Sequence, residues 1–134
     1  MDAKIKAYQE DLELFEDELS QYEYIVSLGK AQEPLDETLK KETFQIKGCQ
    51  SIVWVVPEFR EGKMFFKSES NTVIVSGLAA MVCAIFSQES PRDIVAFDGT
   101  KLEALGLSEI ISPLRRSGLS SMVETIQRYA KEHL

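Results

Sequence analysis

Histidine, the usual base in acid–base and nucleophilic catalysis, is almost missing from this chain. The one histidine, His133, stands beside Leu134 at the C-terminal end, where chains commonly fray. Serine triads and cysteine–histidine dyads therefore lack a placed base. Cysteine is nearly as scarce. Cys49 and Cys83 lie thirty-four positions apart, a poor start for zinc, which wants a clustered tetrahedral ligand set. Neither GxxxxGK[ST] nor GxGxxG occurs, so the familiar phosphate and dinucleotide loops are absent. Carboxylates are plentiful but sit mainly on one helix face instead of flanking an apolar cleft. Basic residues form no patch beyond the single pair Arg115-Arg116, which argues against nucleic acid as a partner. The longest apolar run, residues 73–86, is fourteen residues, short of the roughly 20 that cross a bilayer. The opening MDAKIKAYQEDLELFEDEL has no apolar leader region, so a cytoplasmic location without membrane partners is expected. In that reducing compartment the two cysteines are expected to stand as separate thiols.

What is present describes one globular domain over residues 1–134, with 44% hydrophobic and 28% charged residues. The net charge of -7 comes entirely from residues 1–42, which hold twelve acids and five bases. Ile5, Tyr8, Leu12, Phe15, Leu19 and Tyr22 recur at helical steps, with Glu10, Asp11, Glu13, Glu16, Asp17 and Glu18 opposite. The acids are read as a solvated face, not a basic partner's mark. Ser20 to Glu23 fits a capping box that opens a second helix, with Asp17 as a rival cap, and Gly29 suits its left-handed end.

Strand signals follow. Phe44 and Ile46 alternate with polar neighbours, and residues 52–56 are β-branched or aromatic, which predicts a strand covered on both faces. Glu61-Gly62 reads as a hairpin turn before Met64 and Phe66 on one face and Phe65 on the other. Three antiparallel strands in meander order are the simplest account. A buried helix capped by Ser70 then runs to about Gln88. Ser90-Pro91-Arg92-Asp93 starts another, and a last helix from about Ser112 or Leu114 buries Leu119, Met122, Val123, Ile126 and Tyr129.

Two thiols remain as candidates for chemistry. Cys83 lies in the apolar helix and reads as core filler. Cys49 follows Gly48, which permits a tight turn that leaves the cysteine at its tip, and Lys47 adds a nearby positive charge. On spacing alone a cysteine tucked under a loop is slightly favoured over a presented one. An unassisted thiol can still attack another sulfur, so sulfur exchange is the chemistry this chain could support.

The runs KGCQSIVWVV, SNTVIVSGLAAMVCAIFSQESPRDIVAFD and ISPLRRSGLSSMVETI, with QYEYIVSLGK before them, resemble the SufE family of sulfur acceptors over about residues 8–130. The resemblance implies an α+β fold similar to the scaffold IscU, a three-stranded antiparallel sheet with helices packed mainly on one face. It implies that Cys49 accepts persulfide sulfur from a SufS-like cysteine desulfurase, stimulates that enzyme, and passes sulfur on to an Fe–S scaffold or another acceptor. Gly48, Gln50 and Ser51 would shape and support the loop, and Arg115 would contribute to partner contact. Pyridoxal phosphate would belong to the desulfurase, leaving this chain without a cofactor or metal and with no enzyme activity alone. The family tends to keep the cysteine in an apolar pocket, which Ile52, Val53 or the residue 73–85 helix could line. Two positions depart from the pattern: Leu114-Arg115-Arg116 stands where Ser-Arg-Ser or Ser-Arg-Thr is frequent, and Asn71 where some relatives have aspartate. Two other roles for Cys49 stay open, a noncatalytic desulfurase-activating adaptor and a thiol redox sensor.

Overall fold

A computed structural model describes residues 1–48 and 50–134. Its N-terminal apolar stripe is split between two helices, α1 (Asp2–Glu13) and α2 (Glu18–Lys30). Asp17, in extended backbone, caps α2 by accepting from the Ser20 amide at 2.7 Å and its hydroxyl at 3.1 Å. The rival cap therefore wins over Ser20, which lies inside the helix. The turn between the helices changes the phase of the stripe, so Ile5, Leu12 and Ile25 are buried while Leu19 is 67% exposed. All six acids of the opposite face are exposed, as expected of a solvated face.

Gly29 does not end α2 in a left-handed turn. The helix continues to Lys30 and closes on a right-handed Ala31. Gly29 is there for packing: a Cβ would come within 2.7 Å of the Gly77 amide nitrogen on the facing helix. The absent side chain lets two backbones meet.

Two strands form the sheet, β1 (Val53–Arg60) and β2 (Lys63–Ser70), antiparallel from Val53↔Ser70 to Arg60↔Lys63. Glu61 and Gly62 join them with φ of 52° and 81°, the twist that a two-residue hairpin turn needs. Among the described residues the expected third strand is not formed. Glu42–Phe44 is a 3-10 turn, and only Gln45 bridges Trp54, with the Ile46 amide donating to the Val53 carbonyl at 2.8 Å. The approach to it is bent beforehand. Asp36 caps a 3-10 turn at Glu37–Leu39, and Lys40 is drawn to Glu69 of β2 at 2.6 Å and to Glu37 at 2.9 Å. Too little chain then lies alongside β1 to make a ladder. Coverage of β1 is also less even than expected: Val53, Val55 and Val56 are buried, but Trp54 is half-buried and Ile52 is 40% exposed.

The central helix α3 (Val73–Phe86) is buried nearly all round and packs on α2 and on both strands. It starts after Thr72, later than Ser70, and stops at Phe86. Ser90 caps α4 (Pro91–Ala96) through the Asp93 amide, as predicted. Two 3-10 turns, Gly99–Leu105 and Leu107–Glu109, lead to α5 (Pro113–Lys131), capped by Ser112. The overall class is α+β.

Lys4 ties α1 to the end of α3, donating to the carbonyls of Ile85 at 3.3 Å and Ser87 at 2.5 Å and to Glu89 at 3.0 Å. Burial pushes the Glu89 carboxyl up, but the hydrogen bonds and charges of Lys4 and the Met1 amino group outweigh it and leave it below its usual range. A depressed carboxyl stabilises the fold above its unfolded pKa, and that contribution is lost as pH falls through the folded value. Lys4→Met is therefore expected to cost about 1 kcal/mol at neutral pH, after allowance for partial exposure of the pair. Urea titrations should show the gap to wild type narrowing below about pH 4.5, as Glu89 takes up its proton. A gap that stays constant down to acid pH would refute the assignment to this pair.

Candidate functional site

The segment around the predicted nucleophile is held on both sides. Before it, Ile46 is buried at 3% exposure and Gly48 takes φ +85°, which a side chain would resist. A Cβ on Gly48 would also meet the Ser121 hydroxyl of α5 at 2.9 Å, so the glycine allows close approach to that helix. Cys49 itself lies outside the described residues. After it, Ser51 and Thr72 join hydroxyls at 2.8 Å. The Ile52 amide donates to Asn71 Oδ1 at 3.1 Å, and the Ile52 carbonyl accepts from the Ser70 hydroxyl at 2.8 Å and the Asn71 amide at 3.2 Å.

Ser70, Asn71 and Thr72 thus staple the loop to the β2–α3 junction. In the sequence Ser70 reads only as a helix cap and Asn71 only as a departure from a family pattern. The one available signal was a run of short polar side chains directly before an apolar helix, and it does not name its distant partner. An aspartate at position 71 would offer the same acceptor to the Ile52 amide.

Beside this loop is a cavity of about 130 Å³. Gln50 and Ser51 form one wall, Val75 and Leu78 of α3 the floor, and Leu114, Arg115, Gly118 and Met122 of α5 the far side. The structure therefore brings three predicted residues, Gln50, Ser51 and Arg115, to one place, with Gly48 flanking them against α5. Of the expected linings, α3 supplies the apolar surface, whereas Ile52 and Val53 are not among the lining residues.

Arg115 is half-buried in the first turn of α5 and forms no ion pair among the described residues. Its charge adds to the positive end of a nineteen-residue helix, so the cavity mouth favours an anion. Lys47 contributes less than expected. It is exposed and pairs with Glu42 at 3.6 Å.

Cys83 is 3% exposed in α3. Burial pushes its thiol up to about 12, only partly offset by the Ser68 hydroxyl, which also accepts from Gln32 Nε2 at 3.1 Å. It reads as core, and it makes a poor resolving thiol for a redox sensor. Below about 9 the thiol is protonated in both the folded and unfolded chain; as pH climbs from there toward 12 only the unfolded chain ionises, and stability falls. Cys83→Ala should cost about 1 kcal/mol at neutral pH through lost packing. It should also flatten the fall in stability between those two pH values, as measured by chemical denaturation. Rapid alkylation of Cys83 in the native protein at pH 8 would contradict its burial. Among the described residues no group of three or more His, Cys, Asp or Glu is placed to hold a metal ion.

Residues 6–130 match the SufE family, described as an Fe-S metabolism associated domain. The chain belongs to the SufE family. Its fold is also similar to the solution structure of a hypothetical protein from Thermus thermophilus, with a TM-score of 0.79 at 20% identity. That alignment covers 96% of this chain and 94% of the other, and at such identity it speaks for the fold alone. In this SufE domain Gln50 and Ser51, the central helix and the start of α5 meet around one cavity. No helix among the described residues is long and apolar enough to cross a membrane.

Proposed function

We propose that this SufE protein accepts persulfide sulfur from a pyridoxal-phosphate-dependent cysteine desulfurase onto Cys49 and passes it on for Fe–S cluster assembly. The observation that carries the reading is the pair of anchored flanks around position 49, beside a cavity with Val75 and Leu78 on one side and Arg115 on the other, within a domain of Fe–S metabolism. The Cys49 thiolate attacks the outer sulfur of the enzyme's persulfide. The old S–S bond breaks, a new one forms on Cys49, and the enzyme's cysteine leaves as thiolate. Electrons and atoms balance without an external oxidant. Clearing the persulfide frees the desulfurase for another turnover, so acceptance and stimulation are one event. The pyridoxal phosphate works on the desulfurase.

A persulfide is open to reduction and oxidation while it waits. The cavity beside Gln50 and Ser51 has several times the ~30 Å³ that one water occupies, room enough for an added sulfur. Arg115 and the α5 N-terminus would favour the anionic form of that sulfur. Leu114, at the cavity, is 60% exposed, and Ile52 and Val73 are 40% and 58% exposed, apolar surface that a docked desulfurase would cover. A carrier whose working group is a free thiol suits the reducing cytoplasm.

Radiolabelled cysteine sulfur, chased through desulfurase onto this protein, tests the reading. Arg115→Ala should lower the transfer rate roughly tenfold, the size of effect expected for a charged group at a contact. Its unfolding midpoint should stay within about 0.5 kcal/mol of wild type, as for other surface changes. Unchanged transfer by a folded Arg115→Ala would remove Arg115 from the site.

A further inference from the structure

Helix α5 has a second flank. Turned away from Gln50 and Ser51, its residues Arg116, Leu119, Val123, Glu124 and Gln127 line a groove of about 640 Å³ whose other wall includes the 3-10 turn Gly99–Leu105. This groove shares no lining residue with the cavity beside the loop. It follows α5 from Arg116 to Gln127, about 16 Å at the rise of an α-helix. Its floor is apolar: Leu102, Leu107 and Val123 are 7%, 5% and 6% exposed, and Leu119 is partly buried against them.

The rim is charged and unbalanced. Asp98, Glu103, Glu124 and Arg116 are the exposed charged residues that line it, and Lys101, paired with Asp2, adds a second positive charge near Asp98. None of the four lining residues forms an ion pair among the described residues. The Asp98 carboxylate accepts from the Thr100 hydroxyl at 2.7 Å and amide at 3.0 Å, and these bonds hold it below its usual range. It remains an anion throughout neutral pH. The volume alone would suit a small molecule, but such sites converge their polar groups on one point. Here the charges are spread along an open edge three helical turns long. An apolar floor with separated anions along its rim is complementary to a helix carrying leucine-type anchors between lysines or arginines.

We propose that this groove is a second docking surface, taking a cationic amphipathic helix from a partner protein. Because it lies on the other flank of α5, an occupant leaves the loop face open to a different protein. The inference does not rest on sulfur transfer, and its test involves none.

The probe is a synthetic helical peptide of about three turns with leucines on one face and lysines beside them, titrated into the ¹⁵N-labelled full chain. Two counterparts replace either the lysines with glutamate or the leucines with serine. The leucine–lysine peptide should give saturable amide shifts centred on Gly99, Leu119, Ser120 and Val123, and neither counterpart should do so. The double variant Glu103→Lys/Glu124→Lys, altered at exposed positions only, should weaken binding roughly tenfold or more. Glu16→Lys/Glu18→Lys, which removes as much negative charge at the α1–α2 corner, should leave it unchanged. Shifts centred on that corner, equal loss in both double variants, equal binding of the serine peptide, or no saturable shift by about 1 mM would each overturn the proposal.

Discussion

Cys49→Ser will carry no sulfur. After incubation with desulfurase and L-cysteine, intact-mass spectra of the wild-type protein should show an added species about 32 Da heavier, one sulfur atom. The serine variant should show none, and its stimulation of desulfurase turnover should fall to the basal level. A serine hydroxyl is not ionised near neutral pH and forms no persulfide, so the loss is complete and not graded. No second thiol can stand in, because Cys83 is 3% exposed and its pKa is pushed up to about 12 by burial. Trp54 is the only tryptophan and lies one strand residue beyond Val53, so its fluorescence will report whether the variant keeps its fold near the loop. Stimulation by a folded Cys49→Ser that equals wild type would replace the carrier with an adaptor that works without a sulfur intermediate. Rapid oxidation of Cys49 by peroxide with no mass gain from desulfurase would instead favour a redox sensor.

The second large effect falls far from any chemistry. Gly77→Ala is expected to destabilise the protein by about 3–5 kcal/mol, a large share of the 5–15 kcal/mol typical of a domain. On an ordinary helix the same change gains close to 1 kcal/mol, since alanine is the better helix former. The sign reverses here because a Cβ on Gly77 would fall on the Ile25 carbonyl of α2. The obstacle is backbone, so no side-chain rotation relieves it, and α2 and α3 must move apart. Gly29→Ala should also destabilise, because its Cβ would sit 2.7 Å from the Gly77 nitrogen. Gly99→Ala is the control. Its Cβ would make an ordinary contact at 3.6 Å with Val123, so stability should change little. Urea unfolding followed by circular dichroism decides the matter, and a Gly77→Ala protein as stable as wild type would show that the helices are not in backbone contact.

Local rules held where no distant partner competed with them. Ser90 caps α4, and Glu61-Gly62 turns the hairpin, because each effect is settled by neighbouring residues. They misled where packing outweighed propensity. Gly29 has the residue type of a helix end, yet it serves a close crossing with Gly77. Phe44 and Ile46 alternate like a strand, but Lys40 bound to Glu69 bends the chain before a ladder can form. The capping-box pattern favours Ser20 as the cap of α2, with Asp17 its rival. The turn after Leu14, with Asp17 in extended backbone, put the aspartate at the end of the helix.

Composition and motif order point to Cys49 as the candidate thiol: His133 is the sole histidine, Cys83 sits in an apolar helix, and GCQS lies within the order of a SufE domain. Chain order could not show that Arg115 shares a cavity with Gln50 and Ser51, or that Asn71 and Thr72 hold the loop from behind. Those contacts join residues about twenty to sixty-five positions apart. They exist because burial of α3 against the sheet, and of α5 beside α3, brings the helix ends to one place, and no local preference encodes that meeting. GCQSI reads in the sequence as a cysteine by a turn, and the packing around its neighbours supplies the cavity, the cation and the staple on which the proposed sulfur-carrier role rests.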